Sequence, residues 1–432
     1  MHGTFLTRRF SASADRDARA IFWGFIDQTF SSATNFALAV IAGRAVGPAG
    51  LGTVTIAFSV YLIALGLQRR LLTEPLVAGS AETVDQRKTA RHGLTMSIIA
   101  AGAAMAIALA ASRVVPGFGG RGAFLVVPWI LPALVQDFWR SVLFRDGRAA
   151  AAAVNDLAWF VAMLAMVPLA WSIATDTGVV AAWGIGATAA AALGFVQTRY
   201  APGAVGRSVE WWRNEAWPFG KWNAGAAVAA NLGGNLGAIA VAAILGAGAL
   251  GGLRAAQAVF APLTLITPAL ALPGLPAVTR AYARGFTEAR RRALALSAVA
   301  FFATLAYVTA LLLGAWRILP FLFGESFERY RTLIWPIATG QLFVAVGIGM
   351  LVLIKAQQRG RLLLVNRSIS AAISLSLLTI LAWTFGLEGA AWGIAAGGLA
   401  STVILTLSAR REPTRSRISE GGSSDATTRR QE

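Results

Sequence analysis

The sequence predicts an all-α polytopic membrane protein, with about 12 transmembrane helices in two parallel six-helix lobes around a central cleft. Three observations predict it. Of 432 residues, 56% are hydrophobic and only 13% charged, against about 25% charged in a soluble chain. Apolar stretches of roughly 20 residues, enough to span a bilayer, recur along the chain. The first six and the last six of these stretches carry matching motifs in the same order.

The stretches fall at 20–44, 51–72, 93–114, 122–145, 149–171, 178–198, 219–245, 250–276, 293–314, 332–355, 362–383 and 388–408. Spans 1 and 2 are separated by Gly47-Pro48-Ala49-Gly50-Leu51-Gly52, and spans 7 and 8 by Gly246-Ala247-Gly248-Ala249-Leu250-Gly251. Span 6 contains Ala181-Ala182-Trp183-Gly184-Ile185, which returns in span 12 at 390–394. The displacements are about 199 and 209 positions, so both fit one half-length duplication. Six spans per copy make the copies parallel, related by an axis along the membrane normal.

Charge fixes the orientation. Net charge is +18, from 38 Lys and Arg against 20 Asp and Glu. With both termini cytoplasmic, only Arg44, Arg113, Arg121, Arg254, Arg317, Arg329 and Arg331 fall on the outer side. That asymmetry is the positive-inside signature of a multi-pass protein of the cytoplasmic (inner) membrane. It also accounts for the basic balance without nucleic acid. The organisation expected is a cytoplasmic segment 1–19, an N-lobe 20–198, a cytoplasmic inter-lobe loop 199–218, a C-lobe 219–408 and a disordered basic cytoplasmic tail 409–432. No cleavable signal peptide is expected, since the first apolar stretch is too long for an h-region.

Enzyme constellations are poor. There is no Cys, which excludes disulfides and thiolate chemistry. His2 and His92 lack acidic neighbours, and no HExxH, GxSxG or Walker pattern occurs. No catalytic residue, cofactor or metal is expected. Gly246-Ala-Gly248-Ala-Leu-Gly251 fits a dinucleotide fingerprint formally, but it lies between two membrane helices and reads as a tight outer turn. Gly43/Gly47, Gly233/Gly237 and Gly389/Gly393 are GxxxG pairs for close helix packing.

Polar residues inside spans carry more. A charge at mid-bilayer costs about 2.5–3.5 kcal/mol on insertion scales, so it should face protein or water. Asp27, Ser31 and Asn35 recur every four residues in span 1, with Thr34 adjacent; Asn223, Asn231 and Asn235 form a similar stripe in span 7. The stripes read either as lining a shared aqueous cleft or as interhelical hydrogen-bonded glue. Arg254 and Gln257 lie one turn apart in span 8, where Arg254 either faces the cleft or snorkels to the interface. Asp137 and Arg140 are spaced to pair within span 4. Arg69 and Arg70 end span 2 and read as inner-face anchors.

Asp27-Gln28 through Asn35-Phe36, Gly43-Arg44-Ala45-Val46-Gly47-Pro48-Ala49-Gly50-Leu51-Gly52 and Glu74-Pro75 together resemble the polysaccharide-biosynthesis (Wzx-like) branch of the MOP exporter superfamily. That superfamily also holds the lipid II flippases and the MATE multidrug transporters. The resemblance implies two lobes in a V around a cavity open to each side in turn. It implies translocation of a polyprenyl-diphosphate-linked oligosaccharide for cell-surface polysaccharide biosynthesis, among membrane lipids and beside glycan polymerase or glycosyltransferase machinery. An anionic diphosphate calls for cations, so Arg44 and Arg254 are expected at the headgroup, with Gln257, Asn35, Asn231 and Asn235 contributing to substrate binding. Asp27 is expected to couple transport to an ion, or to pair with an Arg. The alternative is a MATE-like cation-coupled drug antiporter, which prefers an acidic cavity.

Overall fold

The computed structural model describes residues 3–78, 86–115, 117–314 and 317–410, with their side chains except at 3–21, 118, 222–233, 267–268, 271–273, 314 and 360. His2, the tail beyond Arg410 and the side chains of Asn223 and Asn231 lie outside this set. The chain is all-α, with no strand among the described residues. Among the described residues eight helical stretches are long and apolar enough to cross a membrane. Two of these, Phe22–Val77 and Arg361–Ala409, are double spans.

The bends that double them are made by glycine. Gly47 (φ 65°) divides Gly3–Gln68 into α1 (3–46) and α2 (48–68). A positive φ disfavours any side chain, and Pro48 next to it supplies the fixed φ of a helix start. A π turn, Arg69–Thr73, carries α2 on into Glu74–Ala78. Next come α3 (Gln86–Val114), α4 (Gly117–Arg145), α5 (Ala149–Ala165, continued by Val167–Ile173) and α6 (Asp176–Thr198). In the second half α7 is Trp217–Leu245. Gly246 (φ 85°) turns it into α8, which is Ala247–Ala258 plus Ile266–Arg284 around a 3₁₀ turn. α9 (Phe286–Gly314) and α10 (Ile334–Ala356) follow. Gly386 (φ 65°) then divides Gly360–Ala409 into α11 (360–385) and α12 (387–409). These twelve helices coincide with the twelve apolar stretches.

The stretch between α6 and α7 is largely helical. Val205–Trp211 runs through a π turn into α7. It is fastened to α3 by His92 Nδ1 to Ser208 Oγ (3.0 Å) and by Thr95 Oγ1 donating to Gly203 O (3.0 Å).

The two halves repeat in detail at the Gly47/Gly246 bends. There α2 and α8 cross without side chains between them: a Cβ on Gly52 would collide with the Ala247 carbonyl, and one on Gly251 with the Pro48 carbonyl. Gly52/Gly251 and Pro48/Ala247 are both 199 positions apart, so the crossing is two-fold symmetric. Later in each half the displacement is 211. Arg148 Nη1 donates to Gln197 O (2.8 Å) and Arg359 Nη1 to Ser408 O (3.5 Å). Asn155 Nδ2 donates to Gln197 Oε1 (3.1 Å), while Ser408 Oγ donates to Asn366 Oδ1 (3.1 Å). Gly184 packs on Trp129 as Ala395 packs on Gly340. The Ala-Ala-Trp-Gly-Ile match, at 209, is two residues out of this register. It reflects shared Ala/Gly composition, whereas the Gly47/Gly246 match is structural.

The apolar core is shared at one end and divided at the other. One cluster joins both halves at the bend end, including Leu51, Leu250, Phe260, Phe323 and Phe327. At the opposite end Leu72, Phe138, Trp139 and Trp211 form a cluster of the first half. Val278, Ala281, Met350 and Leu353 form a separate one of the second half.

Candidate functional site

A cavity of about 210 Å³ opens inside the first half. Helix α1 supplies Gln28, Ser31, Thr34 and Asn35; α2 supplies Tyr61 and Arg69; α4 supplies Gln136, Asp137 and Arg140; α5 supplies Asp156; α6 supplies Trp183. The four-residue period of α1 puts its polar side chains on one face, and that face lines the cavity.

Three carboxylates and two guanidinium groups are gathered here. Asp27, 1% exposed, accepts a bidentate pair of hydrogen bonds from Arg140, from Nε to Oδ1 (3.0 Å) and from Nη2 to Oδ2. Arg69 grips Asp137 in the same fork geometry, Nε donating to Oδ2 (3.2 Å) and Nη2 to Oδ1 (2.5 Å). Arg140 also lies 3.5 Å from Asp156 Oδ2 and 3.7 Å from Asp137 Oδ1. Gln136 Nε2 donates to Asp156 Oδ1 (2.8 Å) and Asn155 Oδ1 (3.0 Å). Bidentate Arg–carboxylate pairing is the strong form of this contact, and it satisfies charges that burial would otherwise penalise.

Asp137 and Arg140 do approach each other, but each has its closer partner on another helix. Arg69, expected as an inner anchor, is committed to Asp137. Asp27, expected to couple an ion or to pair with an Arg, is paired with Arg140. Gln136 and Asn155 were not singled out by sequence, and Asp156 was read only as a further buried carboxylate, with no role in a site. Their signal was available, because Val154-Asn155-Asp156 recurs as Val365-Asn366-Arg367 at the structural displacement.

The remaining expected residues do not meet in this cavity. Arg44 is exposed at the bend end, where its Nε donates to Leu322 O (2.8 Å) and its Nη2 to Phe321 O. It ties α1 to the second half's short helix Ile318–Phe323. Arg254 and Gln257 are half-buried on α8. Arg254 follows Gly251 by three residues, and helical spacing puts it near the face of α8 that carries Gly251. Among the described residues it has neither a carboxylate nor a hydrogen-bond acceptor as partner. Asn35 is on the first cavity. Asn235 is half-buried on α7, beside Gly234, which lines a second cavity in the other half. Asn231 lies outside the described side chains. By the α1–α7 displacement of 199, Asn35 corresponds to Gly234, so the two Asn stripes are one residue out of register.

No His, Asp or Glu cluster with the makings of a metal site occurs among the described residues. On the bend-end surface Arg121 pairs with Asp176 (Nη2 to Oδ1 2.5 Å), joining α4 to α6.

No family model and no curated relative matches the chain. Solved structures do. The lipid II flippase MurJ in an inward closed conformation is similar at a TM-score of 0.72 and 13% identity, covering 91% of this chain and 88% of that one. A multidrug resistance MATE family transporter of the MOP superfamily, inward-facing, is similar at 0.69 and 15% identity, over 87% and 93%. An outward-facing MATE family transporter of the same superfamily is similar at 0.60 and 14% identity, over 91% and 94%. The chain therefore has the fold of the MOP superfamily transporters, a multi-pass membrane fold of two lobes around a central cleft.

Proposed function

We propose that the protein is an alternating-access flippase for a polyprenyl-diphosphate-linked oligosaccharide, acting in cell-surface polysaccharide synthesis. In this reading the bend end faces outward and both termini face the cytoplasm. The observation that carries it is Arg254. A half-buried guanidinium without a counter-charge among the described residues, near the helix face that carries Gly251, is costly unless an anion arrives to complete it. The acids that would recruit an organic cation are mostly spent, since Asp27 and Asp137 are each held by an arginine. Rocking of the halves about the glycine crossing at Gly52 and Gly251 would expose the cleft to each side in turn.

One observation favours the second reading, a cation-coupled drug antiporter. Three carboxylates face two guanidinium groups in the first-half cavity cluster, so Asp156 is the odd acid there. In the flippase reading the same group serves coupling: the Asp27–Arg140–Asp156 cluster takes up and releases a proton or cation as the halves rock.

The test is binding of a polyprenyl-diphosphate oligosaccharide to the purified protein, against a panel of lipophilic cations. Saturable binding of the anionic lipid, weakened at least tenfold in Arg254→Ala with an unchanged melting temperature, is expected. Binding of the cations alone, lost in Asp156→Asn, would replace the flippase with the antiporter.

A further inference from the structure

The second half contains a cavity of about 470 Å³, lined by α7, α10, α11 and α12. It is the structural counterpart of the charged cavity in the first half. Gly347, Ile348 and Leu351 line it where Gln136, Asp137 and Arg140 line the other, each pair 211 positions apart. Gly234 stands where Asn35 stands. The buried ion network has been removed, and glycines leave a larger space. Among the described lining residues one charge remains, and its sign is reversed: Arg367 occupies the position of Asp156.

Arg367 is exposed and lies seven residues into α11, roughly 10 Å along the axis at 1.5 Å per residue. It has no ion-pair partner among the described residues. No Asp or Glu is among the described residues that line the cavity. One turn further in, the hydroxyls of Ser370 and Ser374 sit on the same helix, opposite Ser401 on α12. Asn366 is 4% exposed, and its Nδ2 lacks a partner although its Oδ1 is bonded to Ser408. A buried amide left unmade costs about 1–3 kcal/mol, and this one sits on the cavity wall.

We infer that this cavity is a second binding site, for a phosphate-bearing and hydroxyl-bearing group. Arg367 takes the phosphate charge, and the Asn366 amide and the Ser370 and Ser374 hydroxyls hydrogen-bond the polar remainder. Among the described lining residues the one formal charge is positive, which favours an anion over a cation. The site stands on its own geometry and is separate from Arg254, which lies on another helix. The phosphate has two possible sources: a polyprenyl phosphate entering from the lipid, or a soluble phosphate entering from water.

The experiment uses the full chain in phosphatidylcholine nanodiscs. Binding of a polyprenyl phosphate, of uncharged polyprenol, of inorganic phosphate and of a sugar 1-phosphate is measured by native mass spectrometry and calorimetry. A tenfold or greater loss of phosphate-ligand binding is expected in Arg367→Ala and Arg367→Asp, with partial recovery in Arg367→Lys. Ser370→Val, which changes neither charge nor helix packing greatly, is expected to weaken binding several-fold. Loss confined to the lipid ligand assigns the site to a headgroup; loss confined to the soluble ligands assigns it to a free phosphate. Unchanged binding in Arg367→Asp, or equal binding of polyprenol and polyprenyl phosphate, would overturn the inference. Since Arg254→Ala is scored separately, loss of export there with normal phosphate binding at Arg367 separates the two readings.

Discussion

Removing the two ends of the buried Asp27–Arg140 pair should have unequal consequences. In Asp27→Asn, Arg140 keeps Asp156 at 3.5 Å and Asp137 at 3.7 Å as alternative partners. In Arg140→Leu, Asp27 loses the guanidinium that satisfies both its oxygens, and Asp156 loses its cation as well. Asp27 is 1% exposed and the Arg140 side chain 17%, so solvent screens little of this loss. Breaking a buried pair by leaving an uncompensated charge costs about 3–5 kcal/mol, which is the expectation for Arg140→Leu. Asp27→Asn should cost about 1–2 kcal/mol, the scale of one exchanged charged hydrogen bond. The other half shows how the arrangement survives without charge, with Leu351 in the place of Arg140. Accordingly Asp27→Asn combined with Arg140→Leu should be more stable than Arg140→Leu alone. The assay is thermal unfolding of the four proteins of the cycle in one detergent, read as a double-mutant coupling. If Asp27→Asn destabilises as much as Arg140→Leu, or if the double variant is the worst of the set, the shared-partner network is wrong.

Gly251→Ala should wedge α8 against the Pro48 carbonyl; an overpacking cost of about 1–3 kcal/mol is expected, with spin labels on the two halves reporting a wider bend end. Arg44→Ala should cost under about 1 kcal/mol, since Arg44 is exposed, yet raise maleimide labelling of a Cys placed at Thr53, which is 2% exposed; the native chain has no Cys to interfere. Arg121→Ala should shift the melting temperature little, because the Arg121 side chain is 54% exposed and such pairs contribute about 0–1 kcal/mol.

The spans were legible because a bilayer imposes one requirement, apolar length, that hydropathy reads directly. The Gly47 and Gly246 bends were legible because a backbone turning between two membrane helices at positive φ needs glycine. The polar face of α1 was legible because it is a local periodicity, and Asn35 does reach the cavity. The partners were not. Arg69 and Asp137 are 68 positions apart and Asp27 and Arg140 are 113 apart, so nothing in a window of sequence couples them. Arg140 was read with Asp137 because three-residue spacing is visible along a helix, while the geometry across helices is not. The Asn-Asp and Asn-Arg counterparts at 155–156 and 366–367 were written in the chain. They are camouflaged by an Ala-rich α5 set against a Leu-rich stretch of α11.

The glycine crossing at the bend end has an ancestral implication. Gly52 meets the Ala247 carbonyl and Gly251 meets the Pro48 carbonyl, so each half offers the other the same patch and receives it back. That is the isologous contact of a two-fold dimer. A six-helix polypeptide carrying one such patch would assemble with a copy of itself in the same orientation, and later fusion would need only the connector now at 199–216. Residues 1–200 and 201–432, produced as two separate chains, should accordingly find each other in the membrane through a surface that predates their covalent link.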